Sequence, residues 1–218
     1  MPRHKPIRFE GTLEPSVKSL VTRLVKDEGR GKTVINATLA IVALGGVLAL
    51  GVIAPNLFSV VTHKLARNNK KRKEDYRQIW RRFYELRKKD LLEFDGEDED
   101  GTLIYKVSDK GKKRIRRFVY EELVINKPKK WDGKWRLVIF DIPEKYRKAR
   151  SSFSLKLKEM GFYQCQKSVW IHPFQCNEEV NFLTDYLNIQ PFVKVFKVEE
   201  MTDGKTLYYF RNFLKKIV

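Results

Sequence analysis

The stretch WDGKWRLVIFDIP, Trp131–Pro143, constrains the fold of this chain more than any other. A turn dipeptide, Asp132-Gly133, leads into Trp135, Leu137, Val138, Ile139 and Phe140, and the run stops at Ile142-Pro143. So nearly continuous an apolar series, rich in β-branched and aromatic residues, reads as a strand buried on both faces, the central kind in a mixed sheet. Pro143 cannot donate to a ladder and restricts the residue before it, so the strand ends there. Asp141 then stands as a carboxylate at the carboxyl end of a buried strand, where a charge calls for a partner or a metal. An Asp in that place also serves as a turn former or helix cap, because Glu144 onward has helical spacing.

The pattern after this strand alternates in kind. Glu144–Met160 is amphipathic, with Tyr146, Ala149, Phe153, Leu157 and Met160 on one face and Lys145, Arg147, Lys148, Arg150, Lys156 and Lys158 on the other. Gly161 follows as a helix stop. Phe162–Gln166 and Val169–Phe174 read as paired strands, Asn177–Asn188 as a second helix and Phe192–Met201 as a further strand. Strand, helix, strand, strand, helix, strand is the ferredoxin-like order. Asp203-Gly204 marks a turn, and Thr206–Phe210 reads as one more strand, exchanged at a dimer edge that would otherwise be an aggregation hazard.

The segments WDGKWRLVIFDIPE, LKEMGF and QKSVWIHPF, in this order and spacing, resemble the central domain of the PaaX-like transcriptional repressors. That domain is itself similar to the small CRISPR-associated endonuclease called Cas-two. The resemblance implies a ferredoxin-like domain that dimerises. It also implies that Asp141, which matches the acid ending the first strand in the Cas-two-like family, sits near a dimer axis and is a candidate catalytic and Mg²⁺-binding residue.

Forty-five Lys and Arg against 27 Asp and Glu give the 218-residue chain a formal charge of +18. With 42% hydrophobic residues, that excess describes a folded protein with a polyanionic partner, nucleic acid or anionic membrane, rather than a disordered basic tail. The two cysteines, Cys165 and Cys176, form no CxxC and have no His at metal-ligand spacing, so they read as buried or capping thiols in a reducing compartment. His172, beside Pro173, reads as structural or exposed.

In the amino-terminal half, residues 1–14 read as a loose arm, and Val17, Leu20, Val21, Leu24 and Val25 mark a short amphipathic helix that begins at Pro15. Thr33–Thr62 carries no charged residue. Its most apolar part, within 34–54, reads either as a membrane span, since roughly 20 apolar residues cross a bilayer, or, broken by Gly45-Gly46, Gly51 and Pro55-Asn56, as a core helix of about five turns followed by a second short helix from Pro55 to about Leu65. A span would leave the carboxyl-terminal part in the cytoplasm, because Lys64, Arg67, Lys70, Lys71, Arg72 and Lys73 outweigh the opposite flank. A core helix makes the protein cytoplasmic.

Glu74–Lys89 then reads as a helix with Tyr76, Ile79, Trp80, Phe83 and Leu86 along one face. Leu91–Phe94 and Thr102–Val107 read as a hairpin around the acidic turn Asp95–Gly101, and Ser108-Asp109 starts a basic helix. This order is that of a winged helix, and the phrases YELRKKDLLEFD and YKVSDKGKKR resemble the modules that precede the PaaX-like domain. Three parts are expected: an arm and helix over 1–33, a winged-helix-like domain over 34–126, and a ferredoxin-like domain over 131–218, making an α+β protein.

The candidate nucleic-acid contacts are Lys70, Lys71, Arg72, Lys73, Arg77, Arg81, Arg82, Arg87, Lys88 and Lys89, with 74–89 as recognition helix. Read blandly, they are a solvated basic face. The five acids of the turn would repel a phosphate backbone, so the hairpin tip is not expected to enter a groove. The expected function is a homodimeric regulator of double-stranded DNA that needs no cofactor. The alternatives are an Mg²⁺-dependent nuclease built on Asp141 from two chains and a membrane-tethered or scaffold protein that binds nucleic acid.

Overall fold

The computed structural model describes residues 5, 7–10, 13–26, 39, 42–43, 47–48 and 80–214. The chain divides into two compact units, Met1–Glu121 and Glu122–Val218.

In the first unit, strands β1 (Ile7–Glu10), β2 (Val47–Leu48), β3 (Leu92–Glu97) and β4 (Leu103–Val107) form a four-stranded sheet in the order β2-β1-β4-β3. Helix α1 (Pro15–Lys26) turns Val17, Leu20, Val21 and Leu24 into the core, as its spacing predicts. The expected loose arm is instead a strand at β1. Ile7 and Phe9 are buried while Arg8 and Glu10 are exposed, so four alternating residues suffice once β4 pairs with them in parallel on one side and β2 antiparallel on the other. The reading of 34–54 as one helix fails at β2, where Val47 and Leu48 pair with Arg8 and Ile7. Gly45-Gly46 is a poor helix continuer, and the open edge of β1 offers the next two residues ladder partners. Leu39, Val42 and Ala43 are buried, and the short helix expected from Pro55 lies outside the described residues. Among the described residues no helix is long and apolar enough to cross a membrane.

Residues 80–88 are helical and bury Phe83 and Leu86. The Phe83 ring meets Phe9 at 6.2 Å, Tyr105 at 5.0 Å and Trp80 at 5.6 Å between centroids, so the aromatics on this face belong mainly to the core. β3 runs on through Asp95, Gly96 and Glu97, with a register shift against β4 between Phe94 and Gly96, and the turn tightens to 98–102. Helix α2 (Asp109–Glu122) is capped by Ser108, whose Oγ accepts the Gly111 N–H at 3.0 Å while its hydroxyl donates to the Asp90 carbonyl at 2.6 Å.

The second unit runs β5 (Trp135–Phe140), a 3-10 turn (Glu144–Tyr146), α3 (Arg147–Glu159), β6 (Tyr163–Gln166), β7 (Val169–His172), α4 (Asn177–Tyr186), a second 3-10 turn (Gln190–Phe192), β8 (Val193–Val198) and α5 (Gly204–Leu214). Its four strands lie in the order β6-β7-β5-β8 with every neighbour antiparallel, so the first strand in sequence, β5, is central. Alternate β5 residues face opposite ways. Phe140 meets Phe153 of α3 at 5.3 Å on one face, while Trp135 on the other packs with Ile171 and Phe210 of α5. Gly161, at φ +88°, takes the left-handed conformation that ends α3.

Two expectations change here. Thr206–Phe210 is part of helix α5, not a strand. Asp203 Oδ2 accepts the Thr206 N–H at 2.9 Å and its hydroxyl at 2.6 Å, a helix cap, and the four-residue spacing of Thr206 and Phe210 buries both on one helical face. A short apolar run does not separate the two periods. Lys156, expected outside, is 5% exposed, with its Nζ reaching Glu159 at 3.1 Å. Its long stem covers apolar surface while the ammonium meets a carboxylate at the rim.

Candidate nucleic-acid interface

Burying Phe83 and Leu86 sets the helical residues 80–88 with their charged side outward. Of the ten candidate contacts, Lys70, Lys71, Arg72, Lys73 and Arg77 lie outside the described residues. Arg81, Lys88 and Lys89 are exposed. Arg82 is engaged with Glu85 at 2.9 Å, and the Arg87 guanidinium lies over the rings of Phe83 at 5.9 Å and Tyr105 at 5.6 Å. The recognition-helix reading thus retains four exposed cations within its described part, Arg81, Arg87, Lys88 and Lys89, of which Arg87 also lies over two rings, while Arg82 is half-buried against Glu85.

The next basic element is more self-contained. On α2, Lys112 pairs with Asp109 at 3.1 Å, Arg117 with Glu121 at 2.8 Å and Arg116 with Glu14 at 3.6 Å. Lys113 is exposed, and it is an outward cation that the charge-run reading did not single out. The acidic turn carries its own answer. Glu97 holds Lys5 at 2.6 Å, Asp98 holds Arg8 at 2.7 Å and Asp95 holds Lys106 at 2.7 Å. The Thr102 hydroxyl and N–H keep the Asp100 carboxyl below the usual carboxylate range. Three of the five acids therefore face cations on β1, on β4 or just ahead of β1, and the turn repels a phosphate backbone less than its sequence suggests. Exposed pairs of this kind add little stability; their consequence here is charge balance.

Asp141 stands where the sequence places it, directly after β5, but it is exposed. The ladder stops at Phe140, and the Asp141 N–H donates to the Phe192 carbonyl at 3.0 Å, leaving the side chain in solvent. The demand for a buried partner disappears with the burial. The nearest acid in sequence, Glu144, is engaged by Arg150 at 2.8 Å and Arg147 at 3.8 Å, and Arg150 also donates to the Ile142 carbonyl at 3.3 Å. Among the described residues no group of three or more His, Cys, Asp or Glu side chains converges as a metal site. The donors around Asp141 in one chain do not fit a divalent cation, which takes about six oxygen ligands.

Three further titratable side chains lie in the second unit. His172 is buried, and its Nδ1 accepts the Phe174 N–H at 3.1 Å. Burial pushes the Cys176 thiol up to about 12, which makes it inert at neutral pH. Cys165 is exposed, not buried, with its Sγ 3.7 Å from the Thr206 hydroxyl. Partial burial raises its pKa.

No curated protein matches the chain. Residues 128–207 match the family model described as the PaaX protein central Cas2-like domain, a span that runs from before β5 into the first turn of α5. Over that span the chain is similar to PaaX-type proteins.

Proposed function

We propose that the protein is a PaaX-type transcriptional regulator that binds double-stranded DNA through its first unit and dimerises through its second. The observation that carries this reading is the PaaX central-domain match at 128–207, in a chain whose preceding unit presents Arg81, Lys88, Lys89 and Lys113 outward beside a hairpin. The first unit is read as a winged-helix module in which the amino-terminal strand β1 takes the place beside β4. The second is read as a ferredoxin-like domain, in keeping with its strand order and antiparallel pairing.

Support for a dimer comes from the face of the second sheet that α5 covers only in part. Ile139 and Phe196 remain 37% and 45% exposed there, and β8 is an edge strand. A twofold contact would bury the same patch on both copies. Two DNA-reading units related by that axis would favour a palindromic site with a fixed half-site spacing.

Charge supplies affinity that is independent of sequence, and base contacts add specificity. Selection from a random duplex library is expected to enrich a palindrome, with binding that weakens steeply as salt rises. Recovery of an unenriched pool, equal for every duplex, would overturn the regulator reading.

A further inference from the structure

The second unit carries a cleft that none of the preceding roles uses. It lies between β6 and the outer side of α5, has a volume of about 410 Å³, and is lined by Tyr163, Gly204, Lys205, Tyr208, Tyr209 and Arg211. Three tyrosines and two cations share it, and among the described residues no carboxylate lines it. Asp203, next in sequence, is turned away from this role by its bonds to Thr206.

The rings are unusually open for aromatic side chains. Tyr208 is 66% exposed and Tyr209 47%, and the Tyr209 ring lies 5.0 Å from Tyr163. The Arg211 guanidinium rests over Tyr208 at 3.6 Å, held there by its bond to the Tyr208 carbonyl at 2.7 Å. A ring and a guanidinium arranged in this way offer flat stacking surfaces beside positive charge. Phe210, directly after the two tyrosines in sequence, is the buried anchor of α5, so the helix holds these outward rings on a fixed support.

We propose that this cleft binds single-stranded nucleic acid, with bases stacked on Tyr208 and Tyr209 and the backbone phosphates met by Lys205 and Arg211. Open aromatic faces next to cations are the features that single strands use, because every base has a π-face and every nucleotide a negative phosphate. An acidic peptide would satisfy the cations but leave the stacking surfaces unused, and a duplex would keep its bases out of reach. This site lies wholly in the second unit, so it goes beyond duplex recognition by the first.

The test uses the full chain and two fluorescent oligonucleotides of about 12 nucleotides, within the site sizes single-strand binders show. One is oligodeoxythymidine and the other carries abasic residues at every position. The wild type is expected to bind the base-bearing strand about tenfold more tightly than the abasic one. Tyr208→Ala, at an exposed position, is expected to cut that difference to about threefold, since Tyr209 still offers a stacking face, and Tyr208→Phe to keep it. Lys205→Ala is expected to weaken both oligonucleotides alike. Equal affinity of the wild type for the two strands would mean that charge alone binds them and would overturn the proposal. So would thymidine monophosphate competing as well as the oligonucleotide at equal molar concentration, which would assign the cleft to a free nucleotide. Loss of palindromic duplex binding with these results intact would refute the regulator reading and leave this one standing.

Discussion

Replacing Gly111 by alanine is expected to destabilise the first unit by about 3 kcal/mol, the upper end of what overpacking costs. In an open helix the same change would stabilise, since glycine is about 1 kcal/mol less favourable than alanine there. The sign reverses because a Cβ at Gly111 would lie 2.4 Å from the Leu91 carbonyl oxygen and 2.6 Å from Val107 Cγ1. The carbonyl cannot simply retreat. It accepts the Ser108 N–H at 3.1 Å, and the Gly111 N–H is itself held by the Ser108 cap. Gly111 is thus the point at which α2 closes against the hairpin, and its crowding would loosen β4 and the segment leading to β3 together. Hydrogen exchange of the β3 and β4 amides reads this directly. Faster exchange in Gly111→Ala, with none in Lys113→Ala as the exposed control, is the expected result; unchanged or slower exchange would show that the contact is not made.

The second large effect is a pH dependence of the second unit. His172 is enclosed by Phe162 at 5.0 Å, Phe174 at 5.3 Å and Phe210 at 5.8 Å between ring centroids. Burial lowers its pKa from 6.5 to about 4, and the charges of Arg136 and Lys127 push the same way. Accepting the Phe174 N–H at Nδ1 suits the neutral ring. The folded state therefore resists a proton that the unfolded chain takes up below its ordinary pKa, so the unfolded state binds more protons between these values and stability rises with pH. The contribution is whole above pH 6.5, falls as the pH drops towards about 4, and levels off below that. At 1.36 kcal/mol per unit, the loss across this window is about 3 kcal/mol.

Urea unfolding followed by tryptophan fluorescence isolates this unit once Trp80 is replaced by phenylalanine, because the other three tryptophans, Trp131, Trp135 and Trp170, all lie in it. In His172→Phe the slope between pH 6.5 and 4 is expected to flatten, whatever the absolute stability of the variant. A slope as steep as that of the wild type would place the titration elsewhere. Asp132 and Asp203 also lose stabilising contacts on protonation, Asp132 through its bond with Arg136 and Asp203 through Thr206. Their carboxyls are held below the usual range, so their losses fall at lower pH than that of His172.

Local pattern carried much of this fold. The α3 face with Phe153 and Leu157 and the hairpin before Ser108 have periods of one kind of element, and the β5 run, which has none, is marked by its length, its β-branched and aromatic residues and the flanking Gly133 and Pro143. What escaped the reading depends on neighbours remote in sequence. β1 is a strand only because β2 and β4 flank it, and the acids of the hairpin turn are balanced by Lys5 and Arg8, some ninety positions away. Thr206–Phe210 has five residues compatible with either period, and the Asp203 cap decided for the helix.

The candidate site was legible in part for the same reason. Burial of Phe83 and Leu86 follows from helical spacing, and with it the outward direction of Arg81 and Lys88. The engagement of Arg82 and Arg87 by a carboxylate and two rings does not. For Asp141, the run of apolar residues located the end of the strand correctly. It could not show that the residue after the ladder leaves the core, which removes the physical need for a partner.

The most direct test of the regulator account is one gel series of duplex DNA with the wild type and Asp141→Asn, with and without Mg²⁺ and across a range of salt. The account predicts intact DNA, shifted equally by both proteins, with affinity that falls steeply as salt rises. Mg²⁺-dependent cleavage that is lost in Asp141→Asn would contradict it and make the protein a nuclease.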